Sequence, residues 1–570
     1  MSELLTLMGV KVHSTNWCDY SNAHVPSWPA VQRHLLSHSQ EVFLHHMPSE
    51  DYPHITFSPL CICLRNEVHP VPLYFIDTLL DLDARALTDD LLVNVACRTP
   101  HLSGESLSYL LQKRKVLDQE EHENDHEGEG EGEGGNDRGG NDHGWLLELP
   151  FAARKCQWRT NLHAIVSKAR SVDAVQAVIH SYPQGLMKRG SDRNWSLPIH
   201  DACSEGSHSV VQLVIEEGRT LSSNYINEYG SDGNSDTYGD SDGTTNNNAH
   251  KFYGGGLLEM DEKGRTPLAR AIARMDFIER SWVRAEERMF LHYQRGAGNV
   301  NGNGVSDGSR KRSYSYLDSE DFFNKGYDSW KVLVACLLGT FHTLVHHADA
   351  NFQQNWDEGK ALVAAAMLAG ICKEGLKSNH NDAHDNDEKT VRIRNHIIRV
   401  LETIDWDQVF RLLLNPRFCN THTLASATDH YSGNRLPFTI CVDNKLFLED
   451  GLLHIVSANP DAIFVQTSDK GSIKESLLPQ MMVALRKHLG FAVMFRLLSN
   501  SPTAFALNND CAQHMDDARL KGTCSGSGSD TMYSKGNGSE VDDCIEQESS
   551  KQCRNKKHRT GSISTLLLNR

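Results

Sequence analysis

The richest local set of potential ligands is His342, His346 and His347, spaced i, i+4 and i+5 on a helical stretch. A zinc protease arrangement of that kind needs a Glu directly after the first His as general base, and Thr343 stands there instead. The three imidazoles also lack the ligand count and outer shell of a metal centre. Cys61 and Cys63 are one residue apart with no second pair at finger-like spacing, which fits alternating packing in a helix better than zinc. His163 and His200 have the chemistry of general bases, but no nucleophile and orienting carboxylate accompany either at a recurrent spacing. Asp201 follows His200 directly, and adjacent helical residues point different ways. The run Gly128 to Gly134 has glycines at phosphate-loop intervals, but every intervening residue is Glu, which repels phosphate, and no strand precedes it. On these grounds the sequence assigns no catalytic, cofactor-binding or metal-ligating residue, and no cofactor.

The elements that carry those histidines repeat. A short Thr/Leu-Pro-apolar start recurs at Thr160-Asn161-Leu162-His163, Leu197-Pro198-Ile199-His200, Thr266-Pro267-Leu268-Ala269 and Leu436-Pro437-Phe438-Thr439, and more weakly at Ser58-Pro59-Leu60 and Leu478-Pro479-Gln480. Thr266-Pro267 is the best helix start, since the hydroxyl accepts an orphan N–H and Pro at the first helical position has none to lose. A second apolar stretch follows each start, as in Ser171 to Tyr182, where Val172, Val175, Val178 and Ile179 fall at helical spacing. Ile76, Leu79 and Leu80, and Leu452, Ile455 and Val456, do the same. The exits at Tyr182-Pro183, Asn459-Pro460 and Ser501-Pro502 lie 22, 23 and 23 residues after Asn161, Pro437 and Pro479. Proline stops each helix there and turns the chain. One apolar stripe per short helix makes no independent core, so neighbouring pairs must stack.

These phrases resemble the ankyrin repeat family, in a divergent, long-unit form. Asp261-Glu262-Lys263-Gly264-Arg265-Thr266-Pro267-Leu268 is similar to the family's approach to its first helix, and Leu162-His163 and Ile199-His200 keep its apolar-His pair. The spacing from Asn161 to Pro198 is 37 rather than the usual 33, and Ala269, Thr439 and Cys61 replace the His in other units. The resemblance implies an all-α, ankyrin-type helical repeat solenoid with disordered inserts and tail. The His163 and His200 imidazoles would then bond to neighbouring turns and align the units. An all-helical solenoid of the HEAT type accounts equally for the unmarked middle.

The organisation expected is an N-terminal segment at 1–27 and divergent repeats at 28–117, where Trp28 to His45 reads as a helix pair and Leu91 to Leu111 as two helices around a turn. A disordered acidic Gly/Glu insert follows at 118–144, then ankyrin-like repeats at 145–220, a disordered insert at 221–256, a repeat at 257–295 and a disordered insert at 296–316. Divergent helical repeats fill 317–507, including Trp330 to Leu344, Ala361 to Ile371 and Val391 to Leu414, and a disordered tail occupies 508–570. Only 39% of the 570 residues are hydrophobic and the mean hydropathy is −0.47. The inserts depress the average: residues 118 to 143 hold eleven Asp/Glu against Arg138, a net of −10 out of −17 for the chain. Such a block buries too little apolar surface to fold.

Fourteen cysteines without a regular framework, several inside apolar helices, suit a reducing compartment. No secretory signal and no run of 18 apolar residues is visible, so the expectation is a cytoplasmic protein without membrane insertion. Basic clusters at 310–312 (Arg310-Lys311-Arg312) and 551–559 leave nuclear import or phosphorylation of adjacent Ser and Thr open. The net charge has the wrong sign for nucleic acid. The function expected is a non-catalytic protein-protein interaction scaffold, not an enzyme, binding a protein partner through its repeat surface. The alternative is a metal-binding or enzymatic protein with its site in 313–430. A third possibility makes the acidic insert a lure for basic partners.

Overall fold

The computed structural model describes residues 7, 27–39, 59–64, 70–83, 86–87, 95–97, 99, 101–126, 161–168, 171–190, 195–230, 253–297, 320–348, 357–375, 388–428, 434–446, 450–460 and 462. Every regular element among them is a helix, so the fold class is all-α. The chain divides into two compact units, Met1–Thr343 and Leu344–Arg570.

The first unit opens with α1 (Trp28–Ser37), α2 (Pro59–Leu64), α3 (Leu73–Leu82) and α4 (Gly104–His126). On α3 the apolar residues Phe75, Ile76, Leu79 and Leu80 recur at helical spacing and are buried. Each is worth roughly 1.5–3 kcal/mol of transfer free energy. Polar bonds fix the neighbours: Gln32 Nε2 on α1 donates to Thr78 Oγ1 at 2.8 Å, and the Tyr109 hydroxyl on α4 donates to Asp77. Gly104, first residue of α4, sits so close to the helix that carries Asp173 that a Cβ would lie 2.5 Å from Asp173 Cβ. Glycine there permits the approach.

Three helix pairs follow: α5 (Asn161–Lys168) with α6 (Val172–Ser181), α7 (Pro198–Glu205) with α8 (His208–Gly230), and α9 (Pro267–Ala297) with α10 (Glu320–Ala348). The first members lie side by side, α7 between α5 and α9, while α6 packs between α4 and α8. On the other side of α8, Gly339 of α10 lets Leu257 and Ile215 approach, a Cβ there meeting Leu257 Cδ1 at 3.0 Å. Thr266 caps α9 as its sequence demands, its hydroxyl accepting from the Ala269 N–H at 3.1 Å. At the exit of α6, Pro183 opens a 3-10 turn, Pro183–Met187, that reverses the chain.

In the second unit α11 (Ala361–Gly375) is the centre. From Ala361 to Leu368 nearly every side chain is inaccessible, a pattern of a helix covered on all sides. Around it pack α12 (Glu388–Glu402), α13 (Trp406–Leu413) and α15 (Pro437–Asp443), while α16 (Leu452–Ala458) lies against α13, α15 and the short α14 (Thr421–Ala425). Asp405 and Asn420 cap α13 and α14, each accepting at 3.1 Å from the backbone N–H three residues on. Gly451 takes φ +94° at the start of α16, where a Cβ would meet Phe410 Cδ2 at 2.5 Å.

Several expected boundaries shift. The α4 helix continues through Asp118 to His126, so the first part of the acidic block is helical rather than open loop. Likewise α8 reaches Gly230, a 3-10 turn at Tyr253–Gly256 closes the far side of the 221–256 insert, and α9 passes 295 to end at Ala297. A helix with a well-packed first turn propagates into polar sequence because each added residue gains a bond for little further cost. Trp28 to His45 contributes one helix, α1, and residues beyond 39 lie outside the described residues. So do the Leu478-Pro479 and Ser501-Pro502 markers.

Candidate functional site

The polar centre of the first unit lies where two loops approach the starts of α7 and α9. The first loop leaves the 3-10 turn through Lys188 and Arg189 and returns at Trp195 and Ser196, closed by the Gly190 N–H donating to the Ser196 carbonyl at 2.8 Å. The second runs from Leu257 to Thr266 and closes between the Asp261 N–H and the Arg265 carbonyl at 2.9 Å. Asp261 organises this turn, since its Oδ1 accepts from the N–H groups of Lys263 at 2.9 Å and Arg265 at 2.8 Å. Gly264 supplies the positive φ of +71° that the turn requires.

Arg189 ties the two loops. Its guanidinium donates to the Trp195 and Met260 carbonyls, both at 2.9 Å, and pairs with the Glu259 carboxylate. Beneath it the two repeat histidines act as struts. The His163 Nε2–H donates to the Ser196 carbonyl at 2.8 Å, carrying α5 onto the loop before α7. The His200 Nε2–H donates to the Glu259 carbonyl at 3.2 Å, carrying α7 onto the loop before α9. A carbonyl only accepts, so the ring nitrogen facing it must hold the proton. His200 Nδ1 is then the acceptor that caps the Leu197 N–H at 3.2 Å. Both rings are fully buried. Burial first, and then the nearby Arg270 cation, push the His200 imidazole down to about 3, so it stays neutral.

Arg270 on α9 is the charge hub, buried between two carboxylates. It pairs with Asp201 of α7 at 3.0 Å and with Asp261 Oδ2 at 2.8 Å. Burial alone would raise the Asp261 carboxyl, but bonds from the Arg265 N–H and Arg270, with both cations, outweigh it and hold it below the usual range. One turn on, Arg274 donates to the Ser329 hydroxyl at 2.8 Å and to Asp328 at 3.1 Å on α10, and to the Gly206 carbonyl. Asp328 Oδ1 also accepts the His208 N–H at 2.9 Å, so α10 caps the start of α8.

The polar groups of this arrangement bond to one another across α5, α7, α9 and α10. Both nitrogens of His200 are committed to backbone groups, and Asp201 and Asp261 are paired with a cation. Asp201 reaches Arg270 and Ser196 rather than the ring of His200 beside it in sequence. His342 Nε2 accepts from Arg219 at 3.2 Å; the side chains of His346 and His347 lie outside the described residues. Cys61 and Cys63 are both buried in α2, and burial drives the Cys63 thiol above its ordinary range. Among the described residues no group of three or more His, Cys, Asp or Glu is arranged to hold a metal ion. Gly128 to Gly134 and the basic clusters at 310–312 and 551–559 lie outside the described residues.

What the loops offer outward is Trp195. The residue is 57% exposed and its backbone adopts φ +42°, a left-handed conformation unusual for a bulky residue. Further aromatic surface lies on α9 and α10, where Phe277 and Phe290 are exposed and the Trp282 ring packs 5.1 Å from Phe322. Sequence reasoning found His163, His200 and the Asp261 to Leu268 turn but missed Arg189, Arg270, Arg274 and Asp328. Arg270 and Arg274 did carry a signal, two cations at i, i+4 among Leu268, Ala271, Ile272 and Met275 on the buried stripe. No helix among the described residues is long and apolar enough to cross a membrane. No protein-family model, curated protein or solved structure matches this chain.

Proposed function

We propose that the chain is a non-catalytic protein-protein interaction scaffold of ankyrin type, a repeat solenoid whose loop face docks a protein partner. Support for the architecture comes from the repeated strut: a buried His at the same place in two successive starts donates to the carbonyl chain leading into the next start. Support for an intracellular setting comes from the cysteines, which among the described residues are all free thiols.

Trp195 carries the docking role. Gly or Asn would occupy its left-handed backbone position with less strain, and its indole faces water rather than a core. A large, rigid aromatic held outward by a charged clamp is the type of side chain that dominates protein interfaces. Loop strain of this kind persists where the surroundings over-determine it, here through Arg189 and the Gly190 to Ser196 closure.

The test compares the full-length chain with Trp195→Asn as bait in a native lysate, with bound proteins identified by mass spectrometry. Helical content should match wild type, and unfolding stability should match it or rise by up to about 1 kcal/mol of relieved strain. A specific partner should be retained by wild type and reduced at least tenfold by the variant. Equal retention by both baits would remove Trp195 from the docking face, and retention of nothing specific by wild type would end the scaffold proposal.

A further inference from the structure

Cys203 on α7 and Cys336 on α10 come from sites 133 residues apart, yet their sulfurs are 3.0 Å from each other. Both side chains are 0% exposed. The two helices are already held in place around them. Asp328 caps the start of α8, Arg274 bridges Gly206, Asp328 and Ser329, and Gly339 is packed under Leu257 and Ile215. The Thr340 hydroxyl folds back onto the Cys336 carbonyl at 2.7 Å, fixing that turn of α10. The thiols therefore meet without any rearrangement of the fold.

We propose that Cys203 and Cys336 form a redox-closable pair, joined as an intramolecular disulfide on exposure to a peroxide-class oxidant and open as two thiols under reducing conditions. One sulfur, as thiolate, attacks a peroxide oxygen, breaking the O–O bond to give a sulfenic acid and hydroxide, which takes up the released proton. The second sulfur then attacks the sulfenic sulfur, forming the S–S bond as the S–O bond breaks and water leaves. Two thiols lose two electrons and two protons, and hydrogen peroxide is reduced to two waters.

Burial sets the rate and the permanence. Hydrogen bonding to Cys203, and then burial, hold the Cys336 sulfur as a thiol, so attack waits on brief openings of the α7–α10 contact. Closure should accordingly take minutes to hours in millimolar peroxide. The same burial shields the finished bond, so reduction of the native protein should be slow and reduction in denaturant fast. The product would clamp α10 to α7 and close a long loop through the unfolded state, which is where cross-links stabilise most.

The experiment treats purified full-length protein with hydrogen peroxide, blocks remaining thiols by alkylation in denaturant, and maps peptides by mass spectrometry without reduction. The expected product is one peptide pair joining Cys203 to Cys336, lighter by two hydrogens and released by a phosphine reductant. In Cys336→Ser, Cys203 should be recovered without that link. The melting midpoint of oxidised wild type should rise about 5–15 °C above the reduced form, and that of Cys336→Ser should not. Recovery of both cysteines as separate alkylated thiols, or of either joined to a different cysteine, would overturn the proposal. Because the wild-type peptide map decides alone, the result stands even if the serine variant folds poorly.

Discussion

Replacing Arg270 by Met keeps the length and apolar stem of the side chain while removing the cation from between two buried carboxylates. Side-chain exposure is 7% for Arg270, 3% for Asp201 and 0% for Asp261, so water cannot take over the lost bonds. Asp261 would keep its bonds to the Lys263 and Arg265 N–H groups and to the Arg265 guanidinium. Asp201 loses its cation and bears most of the penalty. Breaking one partner out of such a buried set costs about 3–5 kcal/mol, a large share of the ~5–15 kcal/mol that stabilises a typical fold. Urea unfolding of full-length Arg270→Met, followed by circular dichroism, should show that loss. Arg270→Met combined with Asp201→Asn should recover at least about 1 kcal/mol of it by removing the stranded charge. Acid supplies a second check. Asp261 is held below its unfolded value of 3.8, so its contribution is present above that pH and lost as pH falls through the folded value. The gap between wild type and Arg270→Met should therefore narrow below about pH 4. A loss under about 1 kcal/mol at pH 7, or one that Asp201→Asn does not reduce, would refute this account of the hub.

Two further outcomes are expected. His200 titrates near 3 when folded and near 6.5 when unfolded, so its contribution is complete above pH 6.5 and drains away as pH falls toward 3. His200→Gln should be about 1–2 kcal/mol less stable at pH 7, with a pH slope shallower than wild type by up to about 1.4 kcal/mol per unit between pH 6 and 4; parallel slopes in pH-resolved urea titrations would contradict the neutral strut. Gly451→Ala should destabilise the second unit by about 2–4 kcal/mol, combining the left-handed backbone with the clash on Phe410. A melting curve unchanged from wild type would count against the tight start of α16.

How much of this could be read in advance depends on whether the signal was local. The apolar stripe of α3, the Val175, Val178 and Ile179 face of α6, the cap at Thr266 and the proline exit after Tyr182 are properties of a few adjacent residues, and each appears where its sequence places it. The histidine struts were also legible, because His163 and His200 occupy the same place in two copies of one phrase. The Arg270 hub was not, since it joins side chains 69 and 9 residues apart in sequence. The Cys203 and Cys336 contact and the Asp328 cap were hidden for the same reason. Insert edges failed differently: composition marks where a chain stops burying apolar groups, whereas helical hydrogen bonding in α4, α8 and α9 runs on past that point.

The cap that Asp328 places on His208 has a consequence for how the protein is made. The start of α8 leaves the ribosome 120 residues ahead of the carboxylate that completes it. At about 5–20 residues per second that is a delay of roughly 6–24 s. Through that interval α7 and α8 exist without Asp328, the Ser329 contact or the sulfur that faces Cys203. Nascent chains ending before residue 328 should consequently show this region as protease-sensitive, and chains that include α10 should become resistant in one step. A chain whose middle is finished by a helix encoded much later is exposed to holdase chaperones for that whole interval, and slower translation between 231 and 320 would lengthen it.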